Sequence, residues 1–327
     1  MHSPSLGLSL NTPFKKIAVV GAGAVGSFYG AMLARAGHSV TLIGRHAHMQ
    51  AIAQNGLQLD LANSSSIESI PLQTSTEVSA VKDADLVLFC VKSTDSETAA
   101  QDIASHLSAN AVVISLQNGV ENSLLIARHV QNAVIPAVVY VASEITAPGC
   151  VKHHGRGDLV IGTMSPPRLS HPQQTLTDIA DIFTSAHVAV HISDNVMVEL
   201  WSKLMVNCAF NAISGLSQLS YGKLSERESI RSTQADVVKE VIAVAKAEGV
   251  LMSEPEALQT IAQIAVAMAG QKSSTAQDMA RHKISEIDHL NGFVVRRGHT
   301  HGIPTPVNQA LYALVKLVET SYTESAH

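Results

Sequence analysis

"KKIAVVGAGAVGSFYGAMLARAGHSVTLIGR", from Lys15 to Arg45, runs from an apolar segment through a glycine-rich turn and a helical stretch to a second apolar segment. Its GAGAVG places Gly21, Gly23 and Gly26 in the G-x-G-x-x-G spacing. After a strand and before a helix, this spacing is typical of a dinucleotide site, because the glycines allow a tight turn, a close pyrophosphate and close helix packing. The helix N-terminus adds N–H donors for the anion. The predicted cofactor-binding loop is Gly21, Ala22, Gly23, Ala24, Val25 and Gly26.

The second apolar segment ends in Gly44 and Arg45, where many dinucleotide-binding units carry an acidic residue. An Asp or Glu accepts hydrogen bonds from a ribose 2′-hydroxyl and repels a 2′-phosphate. A guanidinium instead pairs with phosphate and stacks on adenine. We therefore predict NADP(H) rather than NAD(H) as the cofactor, and we interpret His46 and His48 as exposed loop residues without a ligand role.

Short β-branched runs alternate with helical stretches as far as residue 193. The runs are IAVVGAG, SVTLIGR, ADLVLFCVK, AVVISLQNG and AVIPAVVYVAS, with LVIGT and VAVHISD after them. This alternation predicts an α/β fold with a parallel sheet covered by helices on both faces. From residue 194 only helical patterns follow, which predicts a second, all-α domain. The predicted organisation is a flexible tail (1–13), a Rossmann-type NADP-binding domain (14–193) and a helical substrate and catalytic domain (194–327).

Composition narrows the class of protein. The chain has 327 residues, 46% hydrophobic and 15% charged residues, and a formal net charge of -5. It is therefore globular and long enough for two cores, and its charge gives no reason to expect a nucleic-acid partner. Three separated cysteines, no signal-peptide pattern and no long apolar run predict a cytoplasmic protein without a membrane partner.

A second motif, ELWSKLMVNCAFN, spaces Lys203, Asn207 and Asn211 four residues apart. On a helix these three side chains form one polar strip. The strip has an ordinary interpretation as a solvent-facing surface, but asparagine is a poor helix former, which suggests another role. Downstream, SSTAQDMARHKISEIDHLNGFVVRRG carries Ser274, Glu286 and further carboxylates, each of which also fits a helix cap or an exposed charge.

These motifs, with CVKSTD and LQNGVEN, resemble the ketopantoate reductase (2-dehydropantoate 2-reductase) family along nearly the whole chain from Lys15. The resemblance implies an enzyme that reduces 2-dehydropantoate to (R)-pantoate with NADPH, a step toward pantothenate and coenzyme A. Lys203 matches the family's catalytic lysine, a general acid toward the keto oxygen. Glu286 matches a catalytic glutamate that also organises the cofactor.

The resemblance assigns other positions as well. Polar groups of the substrate are expected to contact Asn207, Asn211, Ser274 and Asn118. The cofactor is expected to contact Lys92, Asn118, Ser143 and Glu286. This chemistry is physically sound, because an ammonium group stabilises the negative charge that develops on a carbonyl oxygen during hydride transfer and supplies its proton. With the lysine and the glycine loop on different domains, the reaction is expected in a cleft that closes between them.

Two departures from the family pattern keep alternatives open. Tyr221 stands where some members have an asparagine that reaches the substrate, and Gln271 stands where some have another asparagine near the serine. The first alternative is therefore reduction of another branched 2-oxo acid, and the second is a non-catalytic NADP-binding redox sensor.

The sequence leaves two further questions. His153, His154, His299 and His301 do not form a closed zinc site, so no metal is predicted. The apolar helices fit packing inside the second domain or a homodimer through the helical domain, and their periodicity does not separate the two.

Overall fold

The structure is a computed structural model that describes residues 13–164 and 166–324, with side chains as far as residue 322 at the C-terminal end. The predicted tail, residues 1–13, lies outside the described residues except for Pro13. The chain forms two compact units. The first comprises residues up to Val91, Asp95–Gln117 and Ser123–Asp194, and the second comprises Lys92–Thr94, Asn118–Asn122 and the residues from Asn195 onward.

The first unit alternates strands and helices. Its strands are β1 (Lys16–Val20), β2 (Ser39–Ile43), β3 (Leu57–Asp60), β4 (Glu68–Ile70), β5 (Gln73–Ser75), β6 (Leu86–Phe89), β7 (Val112–Ser115), β8 (Ala133–Ala147), β9 (Cys150–Ile161) and β10 (Val190–Ile192). Its helices are α1 (Ala24–Arg35), α2 (His46–Asn55), α3 (Ser96–Ala104), α4 (Asn122–His129) and α5 (Pro172–Ser185).

Among the described residues these strands form one sheet in the order β4-β3-β9-β8-β7-β6-β1-β2-β5, with β10 paired to β9. Strands β5, β2, β1, β6, β7 and β8 are parallel neighbours, as the sequence predicted. The sequence predicted a parallel sheet, and two pairs depart from it, since β8/β9 and β3/β4 pair antiparallel. A short turn at Pro148–Gly149 joins β8 to β9, and such a turn can connect only antiparallel neighbours.

The central strands are buried on both faces. In β1, Ile17 and Val19 belong to one apolar cluster while Ala18 and Val20 belong to the other. Because successive side chains of a strand point to opposite faces, the sheet has a core on each side. Helices cover both faces, and this explains why the strand sequences are continuously apolar.

The second unit is helical over its described residues. Its helices are α6 (Val196–Ser217), α7 (Tyr221–Ser225), α8 (Glu228–Ala247), α9 (Glu254–Ala267), α10 (Ser274–Ala280), α11 (Asn291–His301) and α12 (Pro306–Glu324). Helix α6 packs against α8, α10 and α12 and buries Trp201, Leu204 and Phe210. The Rossmann-type α/β unit followed by an all-α unit is the fold class that the sequence predicted.

Candidate functional site

The glycine loop joins β1 to α1 and is shaped by steric limits. Gly21 has a φ of +92°, and a Cβ there would lie 2.6 Å from the backbone nitrogen of Val91, just after β6. A Cβ at Gly26 would collide with the carbonyl oxygen of Gly21. By contrast, a Cβ at Gly23 would meet no described atom within 4 Å. Packing among the described residues thus explains two of the glycines, while Gly23 leaves open space for a bound group.

The N-terminus of α1 has the character of an anion site. Its N-cap is Gly23, none of the described side chains caps it, and its first turn has no acidic residue. The N–H groups of a first turn carry partial positive charge and need acceptors. On β8, the hydroxyl of Ser143 is a buried group without a hydrogen-bond partner among the described residues. The loop and the helix N-terminus thus offer donors of the kind that a pyrophosphate accepts.

Arg45 lies beside this loop. It is exposed and is the N-cap residue of α2, directly after β2 and Gly44. A Cβ on Gly44 would lie 3.0 Å from the Cβ of Ala22, so the turn that presents Arg45 contacts the glycine loop. The prediction that His46 and His48 are exposed loop residues is wrong in part, because both lie on α2 and only His46 is exposed. His48 is half-buried, and both of its ring nitrogens have partners.

A hydrogen-bonded chain in the second unit joins three of the predicted site residues. Lys203 Nζ donates to Asn118 Oδ1 at 2.9 Å, and Asn118 Nδ2 donates to Glu286 Oε2 at 3.1 Å. The carboxamide thus accepts from the ammonium group with one end and donates to the carboxylate with the other. Lys203 comes from α6, Asn118 from the segment after β7, and Glu286 from the segment before α11.

Two residues that were not predicted from the sequence, Ser93 and Asn122, form further hydrogen bonds to Glu286 and Asn118 or to each other. Ser93 donates to Glu286 Oε1 from its backbone nitrogen at 3.3 Å and from its hydroxyl at 3.1 Å. Asn122 Nδ2 donates to Ser93 Oγ at 3.0 Å and to the carbonyl oxygen of Asn118 at 2.6 Å. Both side chains are buried. They lie within the motifs CVKSTD and LQNGVEN, so the signal was present, but the sequence does not show that they meet Glu286.

Asn207 and Asn211 follow Lys203 on α6 as predicted, each one turn further along. Asn207 is half-buried, and Asn211 is 2% exposed. The hydroxyl of Tyr221 donates to Asn211 Oδ1 at 3.3 Å, and its ring stacks on Phe210 at 4.4 Å. Burial raises the pKa of Tyr221 to about 12, so its hydroxyl stays protonated as a donor. Tyr221 therefore engages the far end of the polar strip.

Two of the remaining predicted residues are exposed. Ser274 is the first residue of α10, and its neighbour Ser273 is the buried N-cap whose hydroxyl accepts from Ala276 N at 3.0 Å. Lys92 is also exposed. Burial raises the pKa of Asp278, while the charges of Lys92 and Glu286 act on it in opposite directions. The electrostatic surroundings of Glu286 thus include a carboxyl group to which the sequence reasoning gave no role.

Three of the four histidines in the two pairs have contacts that need no metal. His153 stacks on Phe28 at 4.5 Å, His154 Nε2 lies 2.9 Å from a Glu144 oxygen, and His301 Nε2 lies 2.7 Å from a Glu248 oxygen. Within residues 13–164 and 166–324, no group of three or more His, Cys, Asp or Glu side chains is arranged to hold a metal ion. No helix in the described part of the chain is long and apolar enough to cross a bilayer.

The Rossmann-type unit with its glycine loop and the helical unit with its lysine–amide–carboxylate chain define a class, the dinucleotide-dependent oxidoreductases. The family described as "Ketopantoate reductase PanE/ApbA" matches residues 17–166, and the one described as "Ketopantoate reductase PanE/ApbA C terminal" matches residues 195–319. The chain therefore belongs to the ketopantoate reductase family, whose members are oxidoreductases with a nicotinamide dinucleotide cofactor.

Individual relatives agree with this assignment. A 2-dehydropantoate 2-reductase of Pyrococcus abyssi is 31% identical over 92% of this chain and 97% of its own length. The crystal structure of a PanE/ApbA family ketopantoate reductase from Ralstonia eutropha is 50% identical, has a TM-score of 0.86, and matches 94% of this chain and 99% of its own. A D-mandelate dehydrogenase with NADH and anilino(oxo)acetate is 28% identical, with a TM-score of 0.86 and the same shares of the two chains.

Proposed function

We propose that this protein reduces 2-dehydropantoate to (R)-pantoate with NADPH, a step toward pantothenate and coenzyme A. The observation that carries the proposal is the hydrogen-bonded chain Lys203–Asn118–Glu286 in a member of the ketopantoate reductase family. It brings an ammonium group, a neutral amide and a carboxylate into one polar network. Such a network suits proton donation to a carbonyl oxygen.

The roles of the chain's own residues follow from this geometry. NADPH, when bound, supplies the hydride. Lys203 donates a proton to the keto oxygen and stabilises the negative charge that develops there. Asn118 orients the ammonium group by accepting one of its hydrogen bonds, and Glu286 holds the other end of Asn118. Because Ser93 binds Glu286 through two donors, the carboxylate has a fixed position before substrate arrives.

The preference for NADPH over NADH is proposed from Arg45. Its exposed guanidinium follows β2, at the position where an acidic residue would contact the ribose 2′-hydroxyl. A 2′-phosphate would form charge-assisted hydrogen bonds with it. Gly23, the uncapped α1 N-terminus and Ser143 offer room and donors to the rest of the dinucleotide.

Replacing Lys203 by Ala tests the catalytic role. We expect kcat to fall by about 10²- to 10⁴-fold, the usual contribution of a general acid, while the Kd for NADPH stays near the wild-type value. Lys223→Ala is the matched control, since Lys223 is exposed and pairs with Glu226 on the surface. A Lys203→Ala variant with wild-type kcat would rule out the general-acid role, and a wild type that binds NADPH but reduces no 2-oxo acid would support the redox sensor instead.

A second candidate is the reduction of a different 2-oxo acid, and the contact of Tyr221 with Asn211 favours it. This contact uses an amide oxygen of the polar strip that a hydroxylated substrate would otherwise reach. The similar D-mandelate dehydrogenase was solved with NADH and anilino(oxo)acetate. A panel of 2-dehydropantoate, 2-oxoisovalerate, pyruvate and phenylglyoxylate, scored by loss of NADPH absorbance, separates the two. If kcat/KM for 2-dehydropantoate does not exceed that of the others, the second candidate replaces the first.

We further propose a homodimer through the helical unit. Leu317 is 67% exposed and Leu314 49% exposed on α12, and large apolar side chains on a surface are typical of contact sites. Light scattering coupled to size-exclusion chromatography measures the mass directly. We expect about twice the 34.6 kDa of one chain, shifting toward one chain when Leu314 and Leu317 are both replaced by Lys. A wild-type mass of one chain would refute the dimer.

A further inference from the structure

We propose that His48 is a positioning residue of the cofactor site, which ties the helical turn that presents Arg45 to the glycine loop. This inference rests on the proposed function, because it concerns the binding of NADPH. It follows from the contacts of the imidazole ring within the first unit, where His48 is half-buried on α2.

Both ring nitrogens of His48 have partners from different parts of the unit. The backbone N–H of Gly149, in the turn between β8 and β9, donates to Nδ1 at 2.9 Å. Nε2 lies 3.1 Å from the hydroxyl of Ser27, which is fully buried on α1. That hydroxyl in turn donates to the carbonyl oxygen of Ala22 at 3.3 Å. The series ends inside the glycine loop.

The direction of each hydrogen bond is determined. Because a backbone N–H can only donate, Nδ1 of His48 carries no proton and Nε2 carries it in the neutral ring. Nε2 therefore donates to Ser27 Oγ, which leaves the hydroxyl proton of Ser27 for Ala22 O. Every group in the series donates or accepts in one consistent direction, and this arrangement fixes the tautomer of the histidine.

The consequence is a fixed geometry between two proposed anion-binding elements. Ala22 is also held on its other side, since its N–H donates at 3.0 Å to the carbonyl oxygen of Ile43 at the end of β2. Arg45 is the N-cap residue three positions before His48, and His48 N donates to its carbonyl oxygen at 3.1 Å. The glycine loop and the turn that presents Arg45 are therefore held in fixed relative positions before binding. This lowers the conformational entropy that the protein loses when a ligand contacts both.

Two substitutions remove hydrogen bonds of this series, one at His48 and one at Ser27. In His48→Asn, the shorter side chain keeps an acceptor for Gly149 but does not reach Ser27. In Ser27→Ala, the hydroxyl is removed with almost no change in volume. His38→Asn is the matched control, because His38 is another half-buried histidine whose Nε2 contacts a serine hydroxyl, that of Ser185, at 3.0 Å.

The measurements are the Kd for NADPH by titration calorimetry, and KM for NADPH and kcat by steady-state kinetics. We expect His48→Asn and Ser27→Ala each to raise Kd and KM about 3- to 10-fold, the effect of one hydrogen bond, with kcat at saturating NADPH nearly unchanged. The double variant should bind NADPH with about the same Kd as the single variant of lower affinity, because both substitutions break the same series of hydrogen bonds. His38→Asn should bind NADPH as the wild type does.

Two results would overturn the inference. One is a wild-type Kd in both His48→Asn and Ser27→Ala when their circular dichroism shows a folded protein. The other is an equal loss of affinity in His38→Asn, because it would assign the effect to general destabilisation. A wild type that does not bind NADPH is a different result, which refutes the proposed function and this inference with it.

Discussion

Among the single residues of the proposed site, Asn118 is a neutral amide that lies between a cation and an anion. Its carboxamide accepts from Lys203 and donates to Glu286, so it separates a cation from an anion while bonding to both. An aspartate in its place would repel Glu286, and a lysine would repel Lys203. Asparagine is suited to both neighbours because it offers a donor and an acceptor without charge.

We predict that Asn118→Ala lowers kcat by about 10- to 100-fold, because Lys203 loses an acceptor that orients it. Steady-state kinetics with saturating NADPH and substrate measures this effect. Asn132→Ala is the control, since Asn132 Nδ2 is a buried donor to the carbonyl oxygens of Ser108 and Ala111. The control should lose stability and keep kcat. A wild-type kcat in Asn118→Ala would contradict the role given to the amide.

The sequence led to some of these residues and not to others. Lys203, Asn118 and Glu286 were found because their motifs resemble a family. Ser93 and Asn122 lie in the same motifs, but their bonds depend on which loops meet, and Ser93 and Glu286 are 193 positions apart in the chain. Local patterns carry no information on such a pairing. The position of His48 could not be predicted locally, because one of its two hydrogen-bond partners, Gly149, lies in the β8/β9 turn about a hundred residues later.

A second prediction concerns pH. Burial lowers the pKa of His38 and of His48 below the ordinary value of 6.5. The unfolded chain therefore binds more protons than the folded chain as the pH falls below 6.5, and the free energy of unfolding decreases there. At pH 7.5, well above 6.5, both states hold these rings almost entirely neutral, so the stabilising contribution is nearly complete.

Denaturant titrations at pH 7.5, 6.0 and 5.0 measure this loss of stability. The double variant His38→Asn/His48→Asn should lose less stability between pH 7.5 and 5.0 than the wild type does. His299→Asn is the control, because His299 is exposed. Parallel pH curves for the wild type and the double variant would show that neither ring contributes.

At the scale of secondary-structure elements, α12 shapes the segment that carries Glu286. Tyr312, Lys316 and Glu319 lie at intervals of four and three residues and so share one face of α12. Lys316 Nζ and the Tyr312 hydroxyl donate to the two oxygens of Asp288 at 2.8 and 2.6 Å. Burial opposes ionisation of Asp288, but these two donors lower its pKa overall.

Glu319 holds the other side of the same segment. Its Oε1 accepts from the backbone nitrogen of Ser285 at 2.9 Å and from the hydroxyl of Ser285 at 2.6 Å. Glu286 therefore lies between two residues, Ser285 and Asp288, that are both fastened to α12. The sequence predicted only helical patterns after residue 194, but here the structure has a 3₁₀ turn at Ile287–His289 before α11 begins at Asn291. Contacts of α12 with this segment, which local periodicity does not record, explain the break.

The third prediction is that Glu319→Ala destabilises the protein by about 2 to 4 kcal/mol, because it leaves buried donors of Ser285 without an acceptor. It should also lower kcat, since Glu286 loses its fixed position. Thermal unfolding and steady-state kinetics measure the two effects. Glu256→Ala, an exposed carboxylate in the first turn of α9, is the control and should change neither greatly. Wild-type stability in Glu319→Ala would contradict this reading of α12.

Across the whole molecule, the two compact units do not follow the order of the chain, because two short segments from the first half of the chain belong to the helical unit. The segments Lys92–Thr94 and Asn118–Asn122 follow β6 and β7 in the chain, yet they belong to the helical unit. They supply Ser93, Asn118 and Asn122 to the network around Glu286. The alternation of strands and helices could be predicted from the sequence because it is a local pattern. The assignment of these two segments to the helical unit depends on tertiary contacts, which a local pattern does not show.

The fourth prediction concerns the cofactor and the stability of the whole chain. A ligand that binds only the folded state stabilises it by RT ln(1 + [L]/Kd), about 2.7 kcal/mol when its concentration is 100 times Kd. Because we propose that Arg45 binds the 2′-phosphate, we expect NADPH to raise the apparent Tm by more than an equal concentration of NADH does. In Arg45→Asp the order should reverse, because a carboxylate repels the phosphate and accepts from a 2′-hydroxyl.

Scanning fluorimetry with NADPH, NADH or no ligand measures these shifts on the wild type and on Arg45→Asp. Arg128→Asp is the matched control, because it makes the same charge change at an exposed position of α4 and should keep the preference for NADPH. A larger shift with NADH in the wild type would refute the cofactor preference. NADPH and NADH differ only in the 2′-phosphate. Equal Tm shifts in Arg45→Asp and the wild type would therefore show that Arg45 does not contact this phosphate.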